Sequence, residues 1–362
     1  MDARRLTLSG HDYRSQEVFE LERQRIFHRG WHYAGRAERL AQHGDRLVID
    51  VAGESILIVR ERESFRAFHN VCRHRGSLLC DDQSQASGAI TCPYHGWSYS
   101  LGGALIGTPN VPKDELQRDT LSLWPVTVEE WEGFLFVSLA KDPAPLHDYL
   151  SRGDNDPAHF EAFRLGDMRI AHQTTAEVDA NWKILNENYT ECLHCSRVHP
   201  ELVDLVPIYR TGGVADPERT DGGVGLSKES ATYASSGYAA LAELDSDAGA
   251  DDYFGALVFP NMYIDVTGAS AVITRLVPNG PAHTTVLADY LFTQAALNAP
   301  GFDPTPIVDF NELTAHQDFE VCERVQRGVS SRAFTHGVYA DKDDGAVQFV
   351  ARYLSERDDP AA

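Results

Sequence analysis

Apolar positions recur with a helical period from Arg14 to Gly30 and then switch to short alternating runs. The first stretch reads as an amphipathic helix, with Ser15 as its N-cap and Gly30 as its C-terminal stop. From Trp31 the alternation predicts strands. Arg46–Ala52 and Ser55–Arg60 form a hairpin about Gly53, and Phe65–Val71 follows. Further strands are predicted over Ala89–Cys92, over Ser98–Leu101 before the Gly102-Gly103 turn, over Leu121–Val128 and over Gly133–Leu139. Lys141-Asp-Pro-Ala-Pro interrupts this β-rich texture as a linker, and Leu146–Leu150 opens a second domain. There Arg169–Asp179 reads as a strand, and Trp182–Cys195, without Gly or Pro, reads as a helix. Polar, Gly- and Ser-rich segments run from Tyr209 to about residue 250 and read as loops or lids over a site. Leu257–Val266, Ser270–Val277 and Thr284–Phe292 alternate like antiparallel strands, and Pro306–Gly328 is a long helix pattern. The fold class is α+β. Residues 1–30 form an N-terminal helical segment, 31–140 a small all-β domain and 141–362 a larger domain.

Composition agrees with two packed cores. The 362 residues exceed the size at which single cores stop growing, and 43% are hydrophobic. With 54 acidic against 32 basic residues the net charge is −22, which disfavours nucleic acid and anionic membranes as partners. The same charge would attract a cationic substrate, although solubility alone accounts for it. No apolar run approaches the roughly 18 residues that span a bilayer, and the first residues lack a signal-peptide core. A cytoplasmic protein is therefore expected. In a reducing compartment, the clustering of the six cysteines favours metal or cofactor ligation over disulfides.

Two constellations carry chemistry. Cys72-Arg-His74 and Cys92-Pro-Tyr-His95 each place one thiol and one imidazole at a turn between predicted strands. Such a set could hold zinc, or a [2Fe–2S] centre with cysteines on one iron and histidines on the other. Zinc fingers usually keep like ligands together, whereas one Cys and one His per loop presents a two-iron rhomb to both loops alike. Imidazoles in place of thiolates raise the potential of such a cluster to about −150 to +300 mV. Cys80 stands outside the pattern and reads as a packed thiol.

The second constellation lies within residues 181–200. Glu191 and His194, at i and i+3, lean onto one face of the predicted helix. His199 is too far round to share that face, but Pro200 pushes it out of the helical region. A helix ending near Arg197 would fold His199 back toward His194, making a candidate metal site; the alternative is a surface helix with scattered histidines. Cys192-x-x-Cys195 could be a redox pair or half a zinc site, but small apolar packing groups are the expectation. Asn181-Trp-Lys sets the start of the helix.

Cys72-Arg-His-Arg-Gly and Cys92-Pro-Tyr-His-Gly-Trp resemble the two loops of a Rieske domain. The resemblance implies that Cys72 and Cys92 hold one iron and His74 and His95 the other. Glu191-x-x-His194-x(4)-His199 resembles the catalytic segment of Rieske non-haem iron oxygenases, alpha subunit, and the likeness covers nearly the whole chain. It implies a helix-grip (START-like) catalytic domain with an antiparallel sheet and a long C-terminal helix. It also implies a mononuclear Fe(II) on two histidines and an aspartate, with positions open for O2. His194 and His199 match the histidines and Asp318 the aspartate, with Asp309, Glu320 and Glu323 as competitors. Glu191 stands where most of the family has an aspartate bridging the two metal centres. By resemblance it bonds His194 and a cluster histidine, preferentially His95, of the next subunit in a head-to-tail homotrimer. No flavin or nicotinamide motif is apparent, so electrons from NAD(P)H would arrive through a separate ferredoxin or flavin reductase.

Glu191-Cys-x-His-Cys, His199-Pro-Glu-Leu and Gln326-Arg-Gly resemble the glycine betaine, proline betaine and carnitine oxygenases. That subgroup implies hydroxylation of an N-methyl group and loss of formaldehyde, a net N-demethylation of a small molecule. A permanent cation calls for an aromatic cage. Tyr189, Tyr209, Tyr253, Phe254 and Tyr263 are candidates, each equally explained by packing. The other readings are a hydroxylase or O-demethylase of an aromatic acid on the same scaffold, and an electron-transfer Rieske protein. The Glu191-His194-His199-Asp318 set argues against the last.

Overall fold

The computed structural model describes residues 5–81, 88–112, 114–152, 160, 163–215, 223–244 and 252–359. The chain divides into two compact units, Phe27–Tyr149 and a second made of residues 1–26 together with 150–362.

The smaller unit holds a six-stranded antiparallel sheet in the order Trp31–Arg36, Phe134–Ser138, Pro125–Trp131, Ser64–His69, Glu54–Glu61, Arg46–Val51. The predicted hairpin closes through Ala52 and Gly53, both at positive φ, in a two-residue turn matched to the twist of its strands. A three-stranded sheet of Ala89–Thr91, Ser98–Ser100 and Leu105–Gly107 completes the unit. Gly103 turns between the last two strands at φ +85°, and a Cβ there would lie 2.6 Å from the Phe68 ring. Phe68 shares a core with Leu57, Ile90, Tyr99 and the two motif cysteines, Cys72 and Cys92.

The larger unit is organised by a six-stranded antiparallel sheet. Its order is Arg169–Val178, His283–Phe292, Ser270–Gly280, Met262–Thr267, Asp252–Val258, Val224–Gly225. Strand alternation places cross-strand rows on one face. One row runs Thr174, Ala288, Thr274, Tyr263, Leu257, and the next contains Tyr290, Val272, Asp265 and Gly255. Both rows line a cavity, which the helices Trp182–Tyr189 and Thr305–Val329 also border. None of the helices among the described residues is long and apolar enough to cross a membrane.

Several local expectations change. The N-terminal helix is regular only over Gln16–Glu22, capped by Ser15, and passes into a π-helical turn over Arg23–Phe27. Trp182–Cys195 is not one helix. It stops at Tyr189, where the Thr190 hydroxyl donates back to the Asn186 carbonyl at 2.9 Å, and resumes as Cys195–Val198 and Pro200–Leu205. Glu191 and His194 thus meet across a turn rather than on a helix face. Cys192 and Cys195, expected as packing thiols, are joined in a disulfide. Their Cα atoms lie 5.0 Å apart across that turn, within bridging distance without backbone movement. The segment read as loops contains short helices at Ala231–Ser235 and Tyr238–Leu244; residues 216–222 and 245–251 lie outside the described set. A helix over Asp344–Asp358 went unpredicted, although Ala346, Phe349, Val350 and Tyr353 repeat at helical spacing and form its buried face.

The larger unit is pinned around Glu22. This fully buried carboxylate accepts hydrogen bonds from Lys183 Nζ (2.6 Å), Trp182 Nε1 (2.9 Å) and Tyr353 O–H (2.7 Å). Burial lowers the Lys183 pKa, and the Glu22 carboxylate opposes that shift. Removing one partner of such a pair leaves a buried charge unpaired. Glu22→Ala is therefore expected to cost about 3–5 kcal/mol, read from urea denaturation; a loss under about 1 kcal/mol would place little weight on this pair.

Candidate active site

The two motif loops of the smaller unit fold alike. Gly76 N–H donates to the Cys72 carbonyl and Gly96 N–H to the Cys92 carbonyl, each at 3.1 Å. The Cys72 and Cys92 amides donate to Ser77 and Trp97 carbonyls, each at 2.8 Å. Both glycines sit at left-handed φ, +73° and +71°. Each loop buries its cysteine and exposes its histidine, and the His74 and His95 rings approach to 4.7 Å between centroids. His74 stacks on Trp97 at 4.5 Å. Tyr99 lies 3.3 Å from Cys72 Sγ and also accepts the Arg73 N–H. Burial alone would raise the Cys92 thiol, but the Tyr94 N–H, with Cys72, the His95 N–H and Ser77, holds it below its usual value. Cys80 stays apart, 3.7 Å from Arg46 Nη1 and packed against the core.

In the larger unit, His194 Nε2 and His199 Nε2 lie 3.2 and 2.9 Å from one oxygen of Asp318, Oδ1. Pro200 begins the next helix and leaves His199 outside the helical region (φ −122°, ψ 70°), with its ring 5.3 Å from that of His194. Asp318 comes from the Thr305–Val329 helix. Of its sequence competitors, Asp309 and Glu320 are exposed, and Glu323 accepts the Asp179 N–H instead. The remaining ring nitrogens are committed. His194 Nδ1 donates to Glu191 Oε1 (2.6 Å) and His199 Nδ1 to Gln317 Oε1 (2.7 Å). Asn188 Nδ2 donates to Asp318 Oδ1 at 2.7 Å. With both Nδ1 atoms committed, the two Nε2 atoms and a carboxylate converge, a set that suits a cation once the His194 Nε2 proton is displaced. Cys195 Sγ lies 3.8 Å from His194 Nε2, but its sulfur is committed to the disulfide. Burial alone would lower His194, yet hydrogen bonds to Asp318 and Glu191 raise its pKa to about 9. Burial would raise Asp318, and the two imidazoles hold it at about 2.

The motif loops and the carboxylate-bis-imidazole set carry a comparison with known proteins. Residues 30–129 match the Rieske [2Fe-2S] domain and residues 165–357 the ring hydroxylating alpha subunit (catalytic domain). The chain belongs to the Rieske non-haem iron oxygenases. It is 29% identical to the glycine betaine monooxygenase oxygenase subunit of Chromohalobacter salexigens, over 94% of this chain and 83% of that protein. It is 30% identical to the carnitine monooxygenase oxygenase subunit of Acinetobacter baumannii, over 89% of this chain and 85% of that one. Among solved structures it resembles a quaternary ammonium Rieske monooxygenase in complex with its substrate L-carnitine. That likeness has a TM-score of 0.78 and 25% identity, over 97% of this chain and 96% of the other. A Rieske oxygenase carries a [2Fe–2S] cluster and a mononuclear iron, and both donor sets found here suit those groups.

Beside the candidate iron site of this Rieske oxygenase lies a cavity of about 830 Å³. Tyr189, Tyr209, Tyr253 and Tyr263 line it, whereas Phe254 turns away to pack edge-on against Phe163 at 4.9 Å. Asp265 lies among the tyrosines. Its Oδ1 accepts hydrogen bonds from Tyr189 O–H at 2.8 Å and Tyr253 O–H at 2.5 Å. Burial pushes its carboxyl up to about 6, and those two hydroxyls hold the rise in check. Sequence inspection missed Asp265 because a single acid in a strand carries no motif; its outward sign was a charge on the cavity face of an otherwise apolar run.

A divalent ion entering between His194, His199 and Asp318 must displace the His194 proton, while Asp318 is already ionised. Co(II) affinity of iron-depleted protein is therefore expected to rise about tenfold per unit between about pH 6 and 8, by competition titration. An affinity independent of pH would remove His194 from the ligand set.

Proposed function

We propose that the protein is the oxygenase component of a cytoplasmic Rieske monooxygenase that removes an N-methyl group from a quaternary ammonium compound. The observation that carries this reading is the cavity bordering His194, His199 and Asp318, walled by four tyrosines around a carboxylate. The likeness to glycine betaine and carnitine oxygenase subunits supports it from a second direction. The methyl group, O2, two electrons and two protons give an N-hydroxymethyl group and water. The hydroxymethyl group then leaves as formaldehyde, and a tertiary amine and a proton remain.

In this reading Cys72 and Cys92 hold one iron of the cluster and His74 and His95 the other, while His194, His199 and Asp318 hold the mononuclear iron. That iron supplies oxygen activation, with electrons passed on from the cluster. The chain's own residues position and insulate. Gln317 and Glu191 fix the tautomers of the two imidazoles, and Asn188 orients the Asp318 carboxylate. Glu191 has a further role as bridge to a cluster histidine, His95, of a neighbouring copy in a head-to-tail homotrimer. Its carboxylate also accepts the Leu193 N–H, and Leu193 is a large apolar side chain exposed beside it. A separate flavin or ferredoxin reductase draws the electrons from NAD(P)H.

Formaldehyde release from a panel of betaines, assayed with a partner reductase, is the direct test. Turnover of aromatic acids but not of any quaternary ammonium compound would sink the reading. His199→Ala is expected to keep the visible absorption of the cluster, lower iron from about three to about two per chain, and abolish turnover. Full iron content in that variant would remove His199 from the site.

A further inference from the structure

We infer that Asp265 and the tyrosines around it form the subsite for the onium head of the substrate, with Asp265 as counter-charge and determinant of specificity. The inference rests on the quaternary ammonium reading above and adds to it which residues recognise the positive nitrogen.

A quaternary nitrogen has no N–H to donate. It is held by diffuse negative charge and by aromatic surface, not by a bare acceptor seeking a proton. The carboxylate here meets that description. Both hydroxyl bonds fall on Oδ1 of Asp265, and no Lys or Arg pairs with it among the described residues. A partly buried carboxylate supported only by phenols lacks a compensating positive charge, which a bound cation would supply.

The enclosure is aromatic on several sides. Tyr189 stacks on Tyr263 with ring centroids 3.8 Å apart and planes 4° from parallel, and Tyr209 meets Tyr253 edge-on at 6.3 Å. The buried Tyr263 hydroxyl has no hydrogen-bond partner among the described residues. Gly255 faces Asp265 across the paired strands. A Cβ at that position would come 2.7 Å from the Tyr253 hydroxyl, and 3.2 Å from both Asp265 Oδ1 and the Tyr189 hydroxyl. Glycine is what leaves the carboxylate and its two hydroxyls room to meet.

Another cavity carboxylate, Glu312, provides the internal control. It accepts from Thr174 and from a single tyrosine, Tyr290, and His316 stands 4.0 Å from its other oxygen. It therefore differs from Asp265 in having a nearby group able to carry positive charge and in bonding one tyrosine rather than two.

The test is calorimetric binding to the holoenzyme, without oxygen or reductant, of glycine betaine and choline. Each is compared with its tert-butyl isostere, in which carbon replaces the quaternary nitrogen. Wild-type protein is expected to prefer at least one onium over its isostere by about ten- to hundredfold. Asp265→Asn keeps an acceptor for both tyrosines and is expected to lose most of that preference, with iron content unchanged. Glu312→Gln is expected to retain it. Full preference in Asp265→Asn, or loss in Glu312→Gln instead, would overturn the assignment while leaving the demethylase reading standing. Binding of neither onium to the wild type would remove both.

Discussion

The carboxylate of Glu22 accepts three hydrogen bonds in a position closed to water, from Lys183, Trp182 and Tyr353. Charges so far from solvent are tolerated only in one geometry, because any displacement of either ion exposes an uncompensated charge to a low dielectric. This fixes the first turn of the Trp182–Tyr189 helix in depth and rotation. Asn181 caps the same end through Lys183 N–H, and its side-chain amide donates to the carbonyls of Tyr13 and Pro281. The far end of that helix, only two turns away, delivers Asn188 to Asp318 and Tyr189 to Asp265. A short rigid helix anchored at one end thus positions one contact to the candidate iron site and one to the cavity carboxylate.

The meeting of His194 and His199 requires that this helix stop. An unbroken helix would carry the two residues to different sides. The Thr190 back-bond, the turn held by Glu191 and the disulfide between Cys192 and Cys195 fold the backbone so that both imidazoles face Asp318. Glu191 and Gln317 then commit both Nδ1 atoms, which leaves the two Nε2 atoms to face Asp318. Two imidazole nitrogens turned on one carboxylate make a set that a metal ion takes over by displacing the His194 proton.

Much of this was legible in the sequence because spacing encodes it. Cys72-x-His74 and Cys92-x-x-His95 describe two turns with the same hydrogen-bond pattern, and turns of that kind show in a one-dimensional string. Pro200 announced the turn at His199 for the same reason, being a local steric effect. The break at Thr190 was not legible. No glycine or proline marks it, and the groups that stabilise it are a side-chain back-bond and bonds formed after the turn exists. Asp265 was hidden differently, since one partner, Tyr189, comes from a helix 76 residues away and the other, Tyr253, is met only once two strands pair. The helix over Asp344–Asp358 carried a clear apolar period and could have been read.

That helix also has a bearing on biosynthesis. Its first turn brings Gly345 against the carbonyl of Thr190, where a Cβ would lie 2.0 Å away, and Tyr353 completes the hydrogen bonding of Glu22. The N-terminal helix and the helix leading to the candidate iron site are both synthesised long before residue 353 leaves the ribosome. Until then Glu22 and Lys183 lack part of their shelter from water, and the bend at Thr190 lacks the backbone that packs against it. The candidate iron site therefore gains its described surroundings only once residues 344–358 have emerged and docked.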